Sequence, residues 1–369
     1  VRTTADVGIV GGGVIGLALA RELSSRGIDV VVVERGRTGE EASSAAAGLL
    51  TAQSDASARS PFFEFALKSR DLYPEWSGAI EQETGLAVGW RPTGVLRCGP
   101  AEVLDRFSWQ LESGLSIERV DAGEIHRRSA GRVAADVRDA LFFPRDSVVN
   151  SRLLVRALRR SLEMRGVRIL EGVTVTRFVI EHETCRGVAT WEGALNAARV
   201  VDAAGAWARL DPTLPFAIPV EPVRGQIVEL ANAGPFPTVL ESEDIYLVPR
   251  ADRVLVGATV ERTGFRKEVT AAGVARLLAA AFALAPSLET AQLSDAWSGL
   301  RPGTPDGLPI IGESPISGLY LAAGHFRNGV LLAPITALRV ADLVTGVAVD
   351  DLAPFAPERF AGSTSVHSG

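Results

Sequence analysis

The sequence predicts an α/β protein of two units: a Rossmann-like unit built on a mainly parallel sheet, and a smaller α+β unit whose strands are mainly antiparallel. Three observations carry this expectation. A strand–helix–strand pattern punctuated by glycines opens the chain at residues 6–35, and apolar β-branched runs paired with helical segments recur near 150–210 and 318–347. Between them, 86–140 and 219–295 read as short strands separated by turn residues. A chain of 369 residues, 47% hydrophobic and 22% charged, fits two structural units of an ordinary globular protein. The expected division gives 1–85, 141–218 and 296–361 to the first unit and 86–140 and 219–295 to the second.

The first element is the most informative. In "DVGIVGGGVIGLALARELSSRGIDVVVVER" a β-run enters Gly11, Gly13 and Gly16 at G-x-G-x-x-G spacing, a helix follows to about Arg26, and a second run ends on Glu34. Gly11 suits the tight turn, Gly13 lets the backbone approach a pyrophosphate, and Gly16 lets helix and strand pack closely. The helix N-terminus offers unpaired N–H groups and the positive end of its dipole to phosphates. Glu34 sits where a carboxylate accepts hydrogen bonds from both hydroxyls of an adenosine ribose. These parts in register predict dinucleotide binding, and the terminal acid disfavours the 2′-phosphate of NADP while leaving NAD and FAD open.

The remaining elements follow in order. "EEASSAAAGLL" (40–50) has almost no side chain to move aside, so it can pass close to a flat ring system. "VVDAAGAWA" (200–208) reads as a strand ending near Gly205 and Trp207, and "YLVPRADRVLVGA" as a hairpin turning at "RADR". "WSGLRPGTPDGLPIIG" (297–312) reads as a loop that holds Arg301 among glycines and prolines. "GLYLAAGH" is a strand running into glycine, and "NGVLLAPITALRVADLV" a helix whose N-terminus can stabilise negative charge developing on a neighbouring ring.

Several classes are excluded. A net charge of −6 with no basic tract argues against nucleic acid. Cys98 and Cys185 are too few and too far apart for a disulfide framework or a metal knuckle, and no metal site is expected. The opening "VRTTAD" lacks a secretory pattern, and "VARLLAAAFALAP" (274–286) is interrupted by Arg276 and too short to cross a bilayer. The expectation is a cytoplasmic protein without stable membrane association. The polar tail "GSTSVHSG" (362–369) is expected to be disordered, and His126, His182 and His367 to lie on the surface.

The glycine fingerprint with Glu34 and "SSAAAG" resembles the D-amino acid oxidase family of FAD enzymes, and more closely its glycine oxidases of the thiamine pathway. The likeness continues through "VVDAAGAWA", "PVRGQ", "IYLVPR", "GLRPGTPDGLPIIG" and "AAGHFRNGVLLAP". It implies the family's GR2-type FAD unit with noncovalent FAD, since no cysteine follows residue 185. It implies FAD contacts at Val14, Ile15, Glu34, Arg35, Ala42, Ser43, Ala47, Gly48 and Leu49, and a backbone contact to the adenine at Val175. The likeness further implies that Gly205 and Trp207 end the third FAD strand, and that His325, Phe326, Arg327, Asn328, Gly329, Val330 and Leu331 line the flavin.

A substrate that loses hydride from its α-carbon must be held by its carboxylate, and a guanidinium grips that group with two parallel hydrogen bonds. Arg301 fits this role, and Tyr246 resembles the family tyrosine that binds the same carboxylate. Arg327 either touches substrate or supports the flavin loop. No side chain stands out as a catalytic base, and none is required if the amine is bound neutral. Asp244 stands where the family commonly has histidine and Val260 where methionine is usual, so glycine, sarcosine and small D-amino acids all remain as substrates. Oxygen would reoxidise the flavin, giving peroxide and an imine that hydrolyses or passes onward. The alternatives are a dehydrogenase feeding a quinone and a non-catalytic flavoprotein. The resemblance also implies a homo-oligomer, commonly a tetramer.

Overall fold

The computed structural model describes residues 4–361; the tail 362–369, with His367, lies outside them. The first strand, Thr4–Val10, runs parallel to Val30–Glu34 on one side and Gly193–Asp202 on the other. Arg168–Glu171 extends the sheet beyond Val30–Glu34, and Leu319–Ala323 extends it beyond Gly193–Asp202, both in parallel. Ile310–Glu313 closes the second edge in the antiparallel sense. Val30, Val31, Val32 and Val33 are all buried, because a parallel strand covered on both faces needs an unbroken apolar run.

The two coverings differ. Helices Val14–Ser25, Pro61–Thr84, Ser151–Met164 and Gly329–Val344 pack on one face around Leu17, Leu19, Leu158 and Leu332. The other face is covered by the hairpin Val175–Glu181 and Thr184–Thr190, whose Phe178, Cys185 and Val188 pack on Val31 and Val33.

A second sheet of eight strands runs in the order Gln292–Gly303, Glu221–Ala231, Arg253–Gly257, Tyr246–Arg250, Val239–Glu241, Val95–Cys98, Ala140–Phe143, Glu118–Val120. Every neighbouring pair is antiparallel except Val239–Glu241 with Val95–Cys98. The "RADR" hairpin forms as expected, with Arg250 opposite Arg253. Helix Ala271–Leu284 covers one face through Leu277, Ala281 and Leu284. The opposite face carries Tyr246, Val248, Ile227 and Trp297.

Two strands cross the expected unit boundaries. Ala140–Phe143 spans the boundary at 141, and Gln292–Gly303 spans the one at 296. The stretch around Arg301 is therefore strand rather than loop: residues 292–303 pair along nearly their whole length with 221–231, and that ladder outweighs the turn propensity of Gly299, Pro302 and Gly303. Pro302 sits at the sheet edge, where its missing N–H costs no ladder bond.

Candidate active site

The glycine fingerprint is built as its spacing requires. Gly11 has φ +107°, and a Cβ there would lie 2.4 Å from the Ala203 carbonyl oxygen; a Cβ on Gly16 would lie 2.0 Å from the Gly11 oxygen. Only glycine meets both conditions, the first for its left-handed backbone and the second for close packing of helix on strand. Glu34 accepts from the Gly12 N–H at 2.7 Å on one carboxylate oxygen and from the Gly36 N–H at 2.8 Å on the other. Each oxygen keeps a lone pair for a ribose hydroxyl.

Two cavities, of about 430 Å³ and about 220 Å³, share Gly13, Ala42, Ser43, Ala203 and Gly205, so they form one trench along the glycine loop. The smaller is lined by Gly11, Glu34, Arg35, Val175 and Trp207, and the larger by Val14, Ile15, Ala47, Gly48, Leu49 and His325 through Val330. Ser43 Oγ accepts from the Val14 N–H at 2.9 Å, fixing the one-turn helix Ala42–Ala45 over the start of the first helix. Arg35 lies 3.5 Å over the Trp207 ring and pairs with Glu41. Leu331 departs from the expected lining: its side chain is buried in the helical core, because the helix beginning at Gly329 turns it inward.

The end of the trench faces the N-terminus of helix Gly329–Val344, where the macrodipole places partial positive charge. Pro334 has no N–H to give to the Val330 carbonyl one turn earlier. The hydroxyl of Tyr73 donates to that oxygen instead, and Ser69 Oγ donates to the Leu331 oxygen at 2.6 Å. Tyr73 is fully buried, and burial pushes its pKa well above the usual phenol value, keeping it a donor. His325 is 3% exposed, and its Nε2 lies 3.1 Å from Thr336 Oγ1. Burial lowers its pKa to about 3, so it is a neutral ring packed behind the trench.

Across the larger cavity, Arg301 and Tyr246 converge from strands separated by two others. They meet because the intervening strands present glycines. A Cβ on Gly225 would lie 2.3–2.4 Å from the Arg301 guanidinium, and one on Gly257 would lie 2.5 Å from the Tyr246 ring and hydroxyl. Both side chains therefore lie flat on bare backbone. Arg301 Nη1 donates to the Thr259 carbonyl at 2.9 Å, which orients the fork. Burial lowers the Arg301 pKa while the neighbouring Tyr246 opposes that shift, and burial raises the Tyr246 pKa while Arg301 lowers it. The pair is a cation beside a neutral hydroxyl donor, which suits a carboxylate.

Sequence reasoning missed a set of ion pairs along the larger cavity, two exposed at its rim and one buried. Arg327 pairs with Asp55 at 3.4 Å, Arg97 with Glu241 at 3.1 Å and Arg106 with Glu243 at 2.8 Å, all lining the larger cavity. Burial, reinforced by the Asp55 carboxylate, raises the Glu241 pKa to about 7. Behind them, Asp146 accepts from the N–H groups of Gln53 and Ser54 and pairs with the buried Arg70, fixing the segment that carries Asp55. No local pattern announces these pairs, since their members lie far apart in sequence. Val260 is 66% exposed at the rim, so it borders the entrance instead of filling the pocket, and Asp244 lies exposed on the same rim. Cys98 and Cys185 are buried free cysteines. His126 and His182 are exposed, as expected. No group of side chains among the described residues could hold a metal, and no described helix is long and apolar enough to cross a membrane.

A trench along the glycine fingerprint that ends at a helix N-terminus, faced by an arginine–tyrosine pair on a second sheet, is the arrangement of a dinucleotide-dependent oxidoreductase. Residues 6–343 match the family described as FAD dependent oxidoreductase, and the chain belongs to that family. It is 38% identical to the glycine oxidase of Geobacillus kaustophilus, over 98% of each chain. The crystal structure of glycine oxidase from that organism superposes with a TM-score of 0.91 at 37% identity, covering 96% of this chain and 98% of that one. It is also 38% identical, over 95% of its length, to the bifunctional protein ThiO/ThiG of Trichormus variabilis, of which it spans 54%. The chain thus spans about half the length of these bifunctional relatives. It is an FAD-dependent oxidoreductase by family, similar in sequence and fold to glycine oxidases.

Proposed function

We propose that the protein oxidises glycine and other small amines, including sarcosine and small D-amino acids, to the imino acid, which water hydrolyses to the 2-oxo acid and ammonia (methylamine from sarcosine), while oxygen takes the two electrons as hydrogen peroxide. The observation that carries this reading is the Arg301–Tyr246 pair lying on Gly225 and Gly257 and facing the larger cavity. When bound, noncovalent FAD supplies the hydride acceptor at flavin N5. Arg301 takes the substrate carboxylate with the donors not given to Thr259, and Tyr246 donates to the same group. Asp55, Glu241 and Glu243 are each paired with an arginine, so the reading assigns no carboxylate as base. A substrate bound with a neutral amine directs its lone pair to the α-carbon, and the chain contributes position and field.

In this reading Glu34 holds the adenosine ribose, Val175 meets the adenine through its backbone, and residues 47–49 and 325–330 border the flavin. Arg327, tied to Asp55 at the mouth, touches the substrate or supports the flavin loop. The chain works as a soluble homo-oligomer, with a tetramer expected in sedimentation. The ThiO/ThiG relatives support a place upstream of thiazole formation for thiamine, with the imine as the transferred product. The test is anaerobic bleaching of the bound flavin with glycine, sarcosine, D-alanine and D-proline, followed by air. Bleaching by glycine with rapid reoxidation and peroxide supports the oxidase. Bleaching followed by slow reoxidation would replace it with a dehydrogenase using another acceptor, and no bleaching by any of the four would refute the substrate class.

A further inference from the structure

We infer that Arg250 is a positioning residue for the flavin: its guanidinium fixes the Ala47–Gly48 peptide with the Gly48 N–H turned toward the cofactor cavity, and its charge favours the reduced ring. Arg250 ends the strand Tyr246–Arg250 of the second sheet, yet its Nη2 reaches the first unit, donating to the Ala47 oxygen at 2.5 Å and the Val149 oxygen at 2.8 Å. In a trans peptide the carbonyl and the following N–H point in opposite directions. With the Ala47 oxygen held against Arg250, the Gly48 N–H faces the other way, toward the cavity that Ala47, Gly48 and Leu49 line. That N–H has no acceptor among the described residues. Gly48 has φ +74°, and a Cβ there would lie 1.9 Å from the Val149 oxygen and 3.0 Å from Arg250 Nη2, so the peptide sits tightly on the guanidinium.

The neighbouring residues are braced as well. Trp297 Nε1 donates to the Ala45 oxygen at 3.0 Å, and Gly299 leaves room for Ala45, where a Cβ would come within 2.6 Å of the alanine methyl. Trp297 and Arg250 thus hold the small-residue stretch at two points from the second sheet. Arg250 has no carboxylate within ion-pair reach among the described residues. Its near neighbour in charge is Arg91, whose Nη2 donates to the Pro249 oxygen at 2.5 Å. Burial first, and Arg91 second, lower the Arg250 pKa to about 10, which leaves it protonated at neutral pH. A buried cation without a counter-ion keeps its field in the low-dielectric interior, and reduction of the ring adds negative charge for that field to stabilise.

This inference rests on the flavin lying along residues 46–49, which a separate measurement checks. Ala46→Cys places a thiol on the cavity wall, and FAD should protect it from a maleimide; an unprotected thiol overturns the flavin placement itself. With protection established, Arg250→Met and Arg250→Lys are compared with the unaltered protein by titrating apoprotein with FAD and by measuring the flavin midpoint potential. Arg250→Met should bind FAD about tenfold more weakly and favour the reduced flavin tenfold less, about 30 mV lower for a two-electron couple. Arg250→Lys keeps the charge but not the two-carbonyl grip, so FAD affinity should fall while the preference for reduced flavin stays within about twofold. A purely structural role would lower affinity and thermal stability in both variants and leave both potentials unmoved, and that result overturns the inference. If Arg250→Met does not fold, Arg250→Lys decides: unchanged FAD affinity, or a tenfold loss of reduced-flavin preference despite the retained charge, overturns it.

Discussion

Replacing Arg301 by methionine removes the guanidinium while keeping a long, flexible side chain over Gly225. The size of the effect follows from what the fork is free to do. One donor is committed to the Thr259 carbonyl, and the remaining face is turned with Tyr246 toward the cavity. Two charge-assisted hydrogen bonds to a carboxylate, each about 1.5–3 kcal/mol, put the loss near 3–5 kcal/mol once overlap between them is allowed for. That is roughly a 200- to 5,000-fold fall in kcat/KM at 1.36 kcal/mol per decade, appearing mainly in KM. Arg301→Lys keeps the charge but loses the fork, and should fall between methionine and the unaltered protein, because an ammonium on a flexible stem cannot hold both oxygens in plane. The assay is the rate of anaerobic flavin bleaching against glycine concentration, with the flavin absorbance recorded beforehand to establish that FAD is bound. A methionine variant that binds FAD normally and keeps its KM within threefold would refute the carboxylate clamp.

The clearing glycines give a second expectation: Gly225→Ala and Gly257→Ala should each retain FAD but lose at least tenfold in substrate affinity, since the new methyl falls on Arg301 or on Tyr246; normal bleaching kinetics would show that neither side chain needs to lie flat. Acid stability tests His325. Its folded pKa is near 3 against roughly 6.5 unfolded, so the unfolded chain binds the extra proton between those values and stability is lost as pH falls through them. The loss should be about 2 kcal/mol by pH 5. The buried Asp202 and Glu241, raised to about 7, work in the opposite sense, so the check is the difference in urea midpoint against pH between the unaltered protein and His325→Gln. Parallel pH profiles would contradict a neutral buried ring. Finally, heat or urea denaturation should release all the yellow colour into the supernatant, and colour retained in the washed precipitate would disprove noncovalent FAD.

The parts of the site that were legible in the sequence are those whose chemistry is local. Gly11, Gly13, Gly16 and Glu34 lie within one strand–helix–strand unit, and their spacing alone states which backbone atoms must come close. The helix beginning at Gly329 could also be read from its start, but what completes it could not. Pro334 announces an orphaned Val330 carbonyl, yet the hydroxyl that satisfies it, on Tyr73, is 257 residues away in the chain. The same limit hid the glycines beneath the clamp. Gly225 and Gly257 look like ordinary strand glycines, and their purpose exists only in the register that lays 221–231 and 253–257 between the strands of Arg301 and Tyr246. The misreading of 297–303 as a loop has the same origin. Gly299, Pro302 and Gly303 weaken a strand locally, but the ladder with 221–231 holds them extended. There the absence of side chains has a use, because Gly299 admits Ala45 and thereby sets how closely the second sheet approaches the trench. Two of the positively charged features of the site belong to different units, the helix N-terminus to the first and Arg301 to the second. Their separation is fixed by the Trp297–Ala45 and Arg250–Ala47 bonds, and those bracing contacts belong to the site as much as the clamp does.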